Sequence, residues 1–326
     1  MDPALLDTAL ARHPVNDDGR SGALLERVLL ADRSQVIVKR FDPAVDLVMR
    51  ITGDAHGREV DLFRQGALDR LPATVLHPWL DGWYDEQGRG VLVMRDLGDA
   101  VLNWQSVVTR AQARTMLGAV ADLHLTFLDT APQGLTPLGL VLGMFEPQRI
   151  RPYAGEPLMD AALKGWERWP EVAPGEVGER VLVLAQDTAP LTAACQSLPM
   201  TLLHGDLATV NMAFEPDRPG CLTLIDWGLA TVGPAELDFG RLLAGCAHLF
   251  GSAGFDDLVA LQREAAGPAY DDAALRLGLL AGITWLGWNK ALDIVEHPDP
   301  AVRERERAAL PWWLDQAALA FESGLI

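Results

Sequence analysis

Two short runs in this chain carry residue types that could do chemistry together. The first is Leu202-Leu203-His204-Gly205-Asp206-Leu207-Ala208-Thr209-Val210-Asn211; the second, Leu222-Thr223-Leu224-Ile225-Asp226-Trp227-Gly228, puts a carboxylate fifteen residues beyond Asn211. A carboxylate beside an attacking hydroxyl or amine orients it and accepts its proton, which is the role expected of Asp206. Asn211, five residues on, can turn back through a tight loop and offer an amide oxygen to Mg²⁺. Asp226 closes an apolar strand-like run and can offer a charged oxygen to the same ion, since Mg²⁺ takes hard oxygen donors along with a nucleotide's phosphates. In this order and at this separation the residues suit metal-dependent phosphoryl transfer. Taken singly, each run reads as an ordinary loop or turn.

The two runs resemble the catalytic loop H-R-D-L-x-x-x-N and the metal-binding turn D-F-G of protein kinases, with Gly205 for the Arg and Trp227 for the Phe. Such a centre needs a lysine on an upstream strand. Val36-Ile37-Val38-Lys39-Arg40-Phe41 follows the turn-like Ala31-Asp32-Arg33-Ser34 and the apolar run Leu24 to Leu30, which predicts a hairpin carrying Lys39. Lys39 is then expected on the α- and β-phosphates of ATP or GTP, although a lysine closing a strand also reads as a solvated edge residue. Its acidic partner should come from a helix. His56 to Arg64 continues with Val60, Phe63 and Ala67 at helical spacing, so Glu59 is the first choice and Asp61 the fallback, both equally readable as surface charges. Asn16-Asp17-Asp18-Gly19-Arg20-Ser21-Gly22-Ala23 precedes the hairpin. It lacks the G-x-G-x-x-G form but offers Ser21 and Gly22 to a phosphate, and a turn without ligand explains the same residues. Met94, in the hinge-like Val91-Leu92-Val93-Met94-Arg95-Asp96-Leu97, completes the nucleotide-binding candidates.

On Leu202-x-His204-x-Asp206-x4-Asn211 followed by Ile225-Asp226-Trp227-x-x-Ala230-x-x-Gly233-x4-Asp238-Phe239, the chain resembles the aminoglycoside phosphotransferase and choline kinase-like family of small-molecule kinases. Lys39, Glu59 and the hinge-like stretch extend the resemblance over most of residues 15 to 245, and the last eighty residues match no motif. The resemblance implies an α+β, two-lobed, protein-kinase-like fold with a small antiparallel-sheet N-lobe and a mainly helical C-lobe. It further implies nucleotide in the cleft, Mg²⁺ on Asn211 and Asp226, Asp206 as catalytic base, His204 bracing the loop and Asp238 tying it down. The departure at the glycine loop leaves the choice between ATP and GTP open.

The elements that must position these residues divide the chain at about residue 96. Residues 1–96 carry the hairpins, the Glu59 helix and a turn over Asp81 to Gly88 before a strand from Gly90 to Met94. Residues 97–326 read as helical, with Met116, Leu117, Val120, Leu123 and Phe127 on one side of a helix over Thr109 to Phe127, and His124 within it as a core or surface residue rather than a ligand. Acceptor choice is expected from about Thr136 to Pro199 and from the helices after Phe255. Ten tryptophans could wall a site for a sugar or an alkylammonium group. Trp285, Trp288 and Leu292 fall at i, i+3 and i+7, however, the stripe of a buried helix face. Asp293, Glu296, Asp299, Asp315 and Glu322 could meet amino groups, but Arg303-Glu304-Arg305-Glu306-Arg307 among them reads as a solvated helix surface.

Composition narrows the acceptor. Only nine residues separate Gly228 from Asp238, too few for an activation loop and peptide platform, and Gly205 removes the Arg that answers an activation-loop phosphate; a protein substrate is therefore not expected. A net charge of -18 disfavours nucleic acid and would attract cationic small molecules, although acidity that serves solubility alone explains the same charge. Cys195, Cys221 and Cys246 have neither disulfide nor zinc spacing, no basic-then-apolar leader follows Met1, and the longest apolar stretch is too short to span a bilayer, so a cytoplasmic setting without membrane association is expected. The sequence thus points to a kinase of a small hydroxyl- or amine-bearing acceptor, such as an aminoglycoside, sugar or amino alcohol. The alternatives are a catalytically silent kinase-like binding protein, which would normally have lost the lysine, catalytic Asp or a metal ligand, and a metal-dependent hydrolase ligated by His204, Asp206 and Asp226.

Overall fold

Alternating apolar residues build an antiparallel sheet in the first third of the chain. The computed structural model describes residues 4–15 and 23–326. Its strands are β1 (Ala11–Pro14), β2 (Leu24–Leu29), β3 (Gln35–Arg40), β4 (Val75–Leu76), β5 (Trp79–Tyr84), β6 (Gly90–Arg95), β7 (Thr201–Leu203), β8 (Met212–Ala213), β9 (Leu222–Leu224) and β10 (Thr231–Gly233). Its α-helices are α1 (Ala4–Asp7), α2 (Leu47–Thr52), α3 (Arg58–Arg64), α4 (Arg110–Thr126), α5 (Leu138–Leu142), α6 (Pro147–Ile150), α7 (Pro157–Val172), α8 (Glu176–Gln186), α9 (Ala189–Cys195), α10 (Glu236–Cys246), α11 (Phe255–Ala266), α12 (Asp272–Glu296) and α13 (Pro300–Glu322).

The chain forms two units: the described residues up to Ser106 with Pro132–Thr136 and Thr209–Leu229, and Val107–Ala131 with Pro137–Ala208 and Ala230–Ile326. Where the sequence suggests a break after residue 96, the contacts carry residues 209–229 into the first unit. The physical reason is strand pairing: β9 pairs in parallel with β4 and antiparallel with β8.

In the first unit the sheet runs β1-β2-β3-β6-β5, every pair antiparallel. Val28, Val36, Val38, Val91 and Val93 bury one face with Leu6 and Leu30. The expected hairpin is β2 and β3, and the expected helix around Glu59 is α3. The turn expected over Asp81 to Gly88 is shorter: Asp81 to Tyr84 belong to β5, and only Asp85 to Gly88 turn, with the Asp85 side chain accepting from the N–H groups of Gln87 and Arg89 at 2.9 Å. Gly82 is not there for a turn. A Cβ on it would lie 3.1 Å from Phe63 of α3 and 3.2 Å from Leu92, so the glycine lets α3 approach the strand.

The second unit is helical around α12, which is apolar on most sides as expected of an enclosed helix. α4 starts with a capping box, Thr109 Oγ1 accepting from the Gln112 N–H at 3.2 Å and Gln112 Oε1 accepting from the Thr109 N–H at 2.9 Å. Trp166, Trp169, Trp285, Trp288 and Trp313 are all buried, so these rings are core. Among the described residues no helix is long and apolar enough to cross a membrane.

Candidate active site

Register across β3 and β6 selects the first group of side chains. Residues opposed in an antiparallel ladder share a face, so Ile37 with Met94 and Lys39 with Leu92 lie opposite the valine cluster. Gly82, opposed to Leu92 and packed under Phe63, places α3 on that same face. The start of α3 is fixed by Asp54, whose carboxylate accepts from the N–H groups of His56, Gly57 and Arg58 at 3.1, 2.8 and 2.8 Å. Glu59 then falls in the first helical turn, 1% exposed, and accepts from Lys39 Nζ. Asp61, the fallback, instead accepts from the Tyr84 hydroxyl.

Lys39 also donates to Asp226 Oδ1 at 2.8 Å. Burial opposes its charge, but the Asp226 and Glu59 carboxylates outweigh burial and raise the ammonium's pKa, so Lys39 is a fixed cation. Two carboxylates share that one cation. Burial raises the Glu59 carboxyl to about 7, Lys39 opposing and Asp226 adding to the rise, and Glu59 Oε2 has no hydrogen-bond partner among the described residues.

Asp226 follows β9 at φ 61°, a left-handed conformation that Asp tolerates and β-branched residues do not. Met212 of β8 pairs with Leu224 of β9, and the Ile225 N–H donates to the Asn211 carbonyl at 3.0 Å. One short hairpin therefore carries both Asn211 and Asp226 at adjoining ends. A carboxylate and a carboxamide oxygen are the hard donors that Mg²⁺ prefers, and two protein ligands are what it usually takes when phosphates supply others. The residues present fit that ion. Among the described residues no three His, Cys, Asp or Glu side chains are grouped to hold a metal by themselves.

The second unit holds the other group. β7 pairs with β10 and delivers the chain to His204, Gly205 and Asp206. Gly205 has φ 82°, so the position occupied by Arg in protein kinases here needs a residue without a side chain. Asp238, in the first turn of α10 and 1% exposed, accepts from the N–H of His204 at 2.9 Å, the N–H of Gly205 at 3.0 Å and His124 Nε2 at 3.0 Å. Burial would raise this carboxyl, but the His124 hydrogen bond and its neighbours hold it below the ordinary range. Asp206 Oδ1 accepts from Arg241 Nε at 2.9 Å, and the same oxygen lies 2.7 Å from Nη2 in the ion pair.

Sequence reasoning missed Arg241 and gave His124 no partner. The available signal was spacing: Arg241 lies three residues after Asp238 on one helix, which puts both on one side of α10. Ser21 and Gly22 lie outside the described residues. Met94 is buried on the Lys39 face, as the register requires.

The family model APH, described as the phosphotransferase enzyme family, matches residues 20–276. No curated protein sequence matches the chain. Among solved structures, the choline kinase LicA from Streptococcus pneumoniae aligns at TM-score 0.55 and 12% identity, over 94% of this chain and 94% of that one. The aminoglycoside phosphotransferase APH(3'')-Id from Streptomyces rimosus, in complex with ADP and streptomycin, aligns at TM-score 0.53 and 18% identity, over 82% and 94%. The GDP complex of aminoglycoside 2'-phosphotransferase-IIIa aligns at TM-score 0.53 and 12% identity, over 95% and 93%. At these identities the likeness is one of fold: an antiparallel-sheet N-terminal part and a mainly helical C-terminal part, as the sequence motifs imply.

Proposed function

The chain belongs to the APH family of phosphotransferase enzymes, and from that premise we propose that it transfers the γ-phosphoryl group of ATP or GTP to a hydroxyl or amine of a small molecule. The observation that carries this reading is the Lys39 ammonium held between Glu59 and Asp226, with Asn211 on the hairpin that presents Asp226. A cation fixed in this way serves phosphate oxygens without itself reacting. The family's solved relatives with ADP or GDP bound support a nucleotide as donor, and both bases stay in the proposal. Aminoglycosides and amino alcohols such as choline are the acceptor classes that the relatives suggest, with sugars beside them.

Asn211 and Asp226 would hold Mg²⁺, which when bound supplies positive charge to the β- and γ-phosphates. Lys39 neutralises phosphate charge and orients the donor. Asp206 accepts the proton of the acceptor as its oxygen or nitrogen bonds to the γ-phosphorus; the bond from that phosphorus to the β-γ bridging oxygen breaks, and the nucleoside diphosphate leaves. Asp238 and His124 keep the backbone of residues 204 and 205 where Asp206 is needed.

The test is Mg²⁺-dependent ADP and GDP release by the purified protein over a panel of aminoglycosides, sugars, amino alcohols and nucleosides, beside Asp206→Ala. Turnover with one acceptor class, reduced by about 10³-fold in the variant with nucleotide affinity retained, is the expected result. Full turnover by Asp206→Ala removes it as the base. Nucleotide binding without turnover across a broad panel favours the silent binding protein instead.

A further inference from the structure

Arg241 makes a contact that the proposed chemistry does not yet use. Its Nε and Nη2 both reach the same oxygen of Asp206, at 2.9 and 2.7 Å. A hydrogen bond from Nε and the charge of Nη2 on one oxygen restrain rotation of the carboxylate and so set the direction in which Oδ2 points. We infer that Arg241 is a positioning residue for Asp206, held in place by a small chamber built for its guanidinium. The inference rests on Asp206 being the base that accepts the acceptor's proton.

Three features form the chamber. The guanidinium carbon lies 4.7 Å from the ring centre of Trp285, a buried residue of α12, so the cation rests on an aromatic face. One helical turn beyond Arg241 the sequence has Gly245, and a Cβ there would lie 2.4 Å from Arg241 Nη1. Glycine inside a helix costs stability relative to alanine, and here it leaves the space into which the guanidinium folds. A cavity of about 30 Å³ is lined by Gly205, Thr231, Arg241 and Trp285 among others. Around it Thr231 Oγ1, Arg241 Nη1 and Trp285 Nε1 are buried with no hydrogen-bond partner among the described residues. At ~10–15 Å³ for each water, the cavity has room for about two, which would join these three atoms and brace the guanidinium from behind.

The geometry makes Arg241 act through Asp206 and not on the substrate directly. With the acceptor found in the panel, Arg241→Met should lower kcat by roughly 10–100-fold while both KM values stay within about twofold, and Arg241→Lys should recover part of the loss. In an Asp206→Asn background, Arg241→Met should cost nothing further. Gly245→Ala should leave Tm unchanged or higher and still lower kcat, a split that a purely structural glycine would not produce. Unchanged kcat in Arg241→Met, or a full additional loss in the double variant, overturns the inference. Full activity of Asp206→Asn would instead overturn the choice of base. Independently of any acceptor, a crystal structure of Arg241→Met should show the Asp206 carboxylate rotated away from its native position; an unmoved carboxylate also overturns it.

Discussion

Asp238 shows how one side chain can decide the shape of a loop. Its carboxylate is enclosed by protein, yet it accepts from two backbone N–H groups and from His124, so its charge is matched by donors on every side the structure describes. An ionised carboxylate only accepts, so His124 must present a proton at Nε2. Asp238→Asn would turn an NH₂ group toward one of these donors. The expected cost is about 3 kcal/mol, read by urea unfolding, with turnover reduced because residues 204 and 205 lose their anchor. The pH dependence has a definite sign. The folded carboxyl sits below its ordinary value of 3.8, so its stabilising effect is present above 3.8 and lost as pH falls through the lower folded value. The stability gap between wild type and Asp238→Asn should therefore be constant at neutral pH and narrow as pH falls below about 3.8; a gap of unchanged size below that pH would refute the charge-based account. Asp238 was legible in the sequence because it sits in a motif. Arg241 and His124 were not, because their partners lie 35 and 114 residues away and only the packing of α10 brings them together.

At the level of elements, glycine carried two meanings, and the sequence alone separates them poorly. The hairpin of β2 and β3, the strand β6 and the helix α4 were legible from their apolar runs and period. The start of β5 was not, because Asp81-Gly82 has the composition of a turn, whereas Gly82 is there for the approach of Phe63. The same use of glycine governs the helices. A Cβ on Gly240 of α10 would fall 1.9 Å from the Gly278 carbonyl oxygen of α12; one on Gly278 would fall 2.3 Å from the Glu236 oxygen; one on Gly282 would fall 2.4 Å from the Gly240 oxygen. These are backbone atoms and cannot swing aside. Since α10 carries Asp238 and Arg241, a forced separation of α10 from α12 also moves the groups that hold Asp206. Gly278→Ala, which would gain helix propensity on a solvent-facing helix, is expected to destabilise by roughly 2–3 kcal/mol and to lower turnover with it. Gain of stability in thermal or urea unfolding would show that the two helices can part without cost.

For the whole molecule, the acidic excess of 45 Asp and Glu over 27 Lys and Arg is the property most open to a functional reading. Several of the individual acids near the C-terminal helices are already engaged within the protein. Glu296 pairs with Lys164 and Arg168, Asp299 caps α13 by accepting from the Ala301 N–H at 2.8 Å, and Glu306 is buried against Lys290 at 3.0 Å. Arg241 beside Asp206 further offsets negative charge at the proposed base itself. What remains for a cationic acceptor is the summed field of the protein, which acts at distance and is cut by salt, since the screening length falls from ~30 Å at 0.01 M to ~8 Å at 0.15 M. Substrate identity was not legible in sequence for this reason: a diffuse field has no motif. The field has a measurable consequence. If it gathers a cationic acceptor, kcat/KM for an aminoglycoside or choline-like compound should fall severalfold between about 0.01 and 0.15 M salt, through KM, while kcat/KM for a neutral sugar hardly changes. Equal salt dependence for charged and neutral acceptors would assign the acidity to solubility alone and leave shape and hydrogen bonding near Asp206 to choose the substrate.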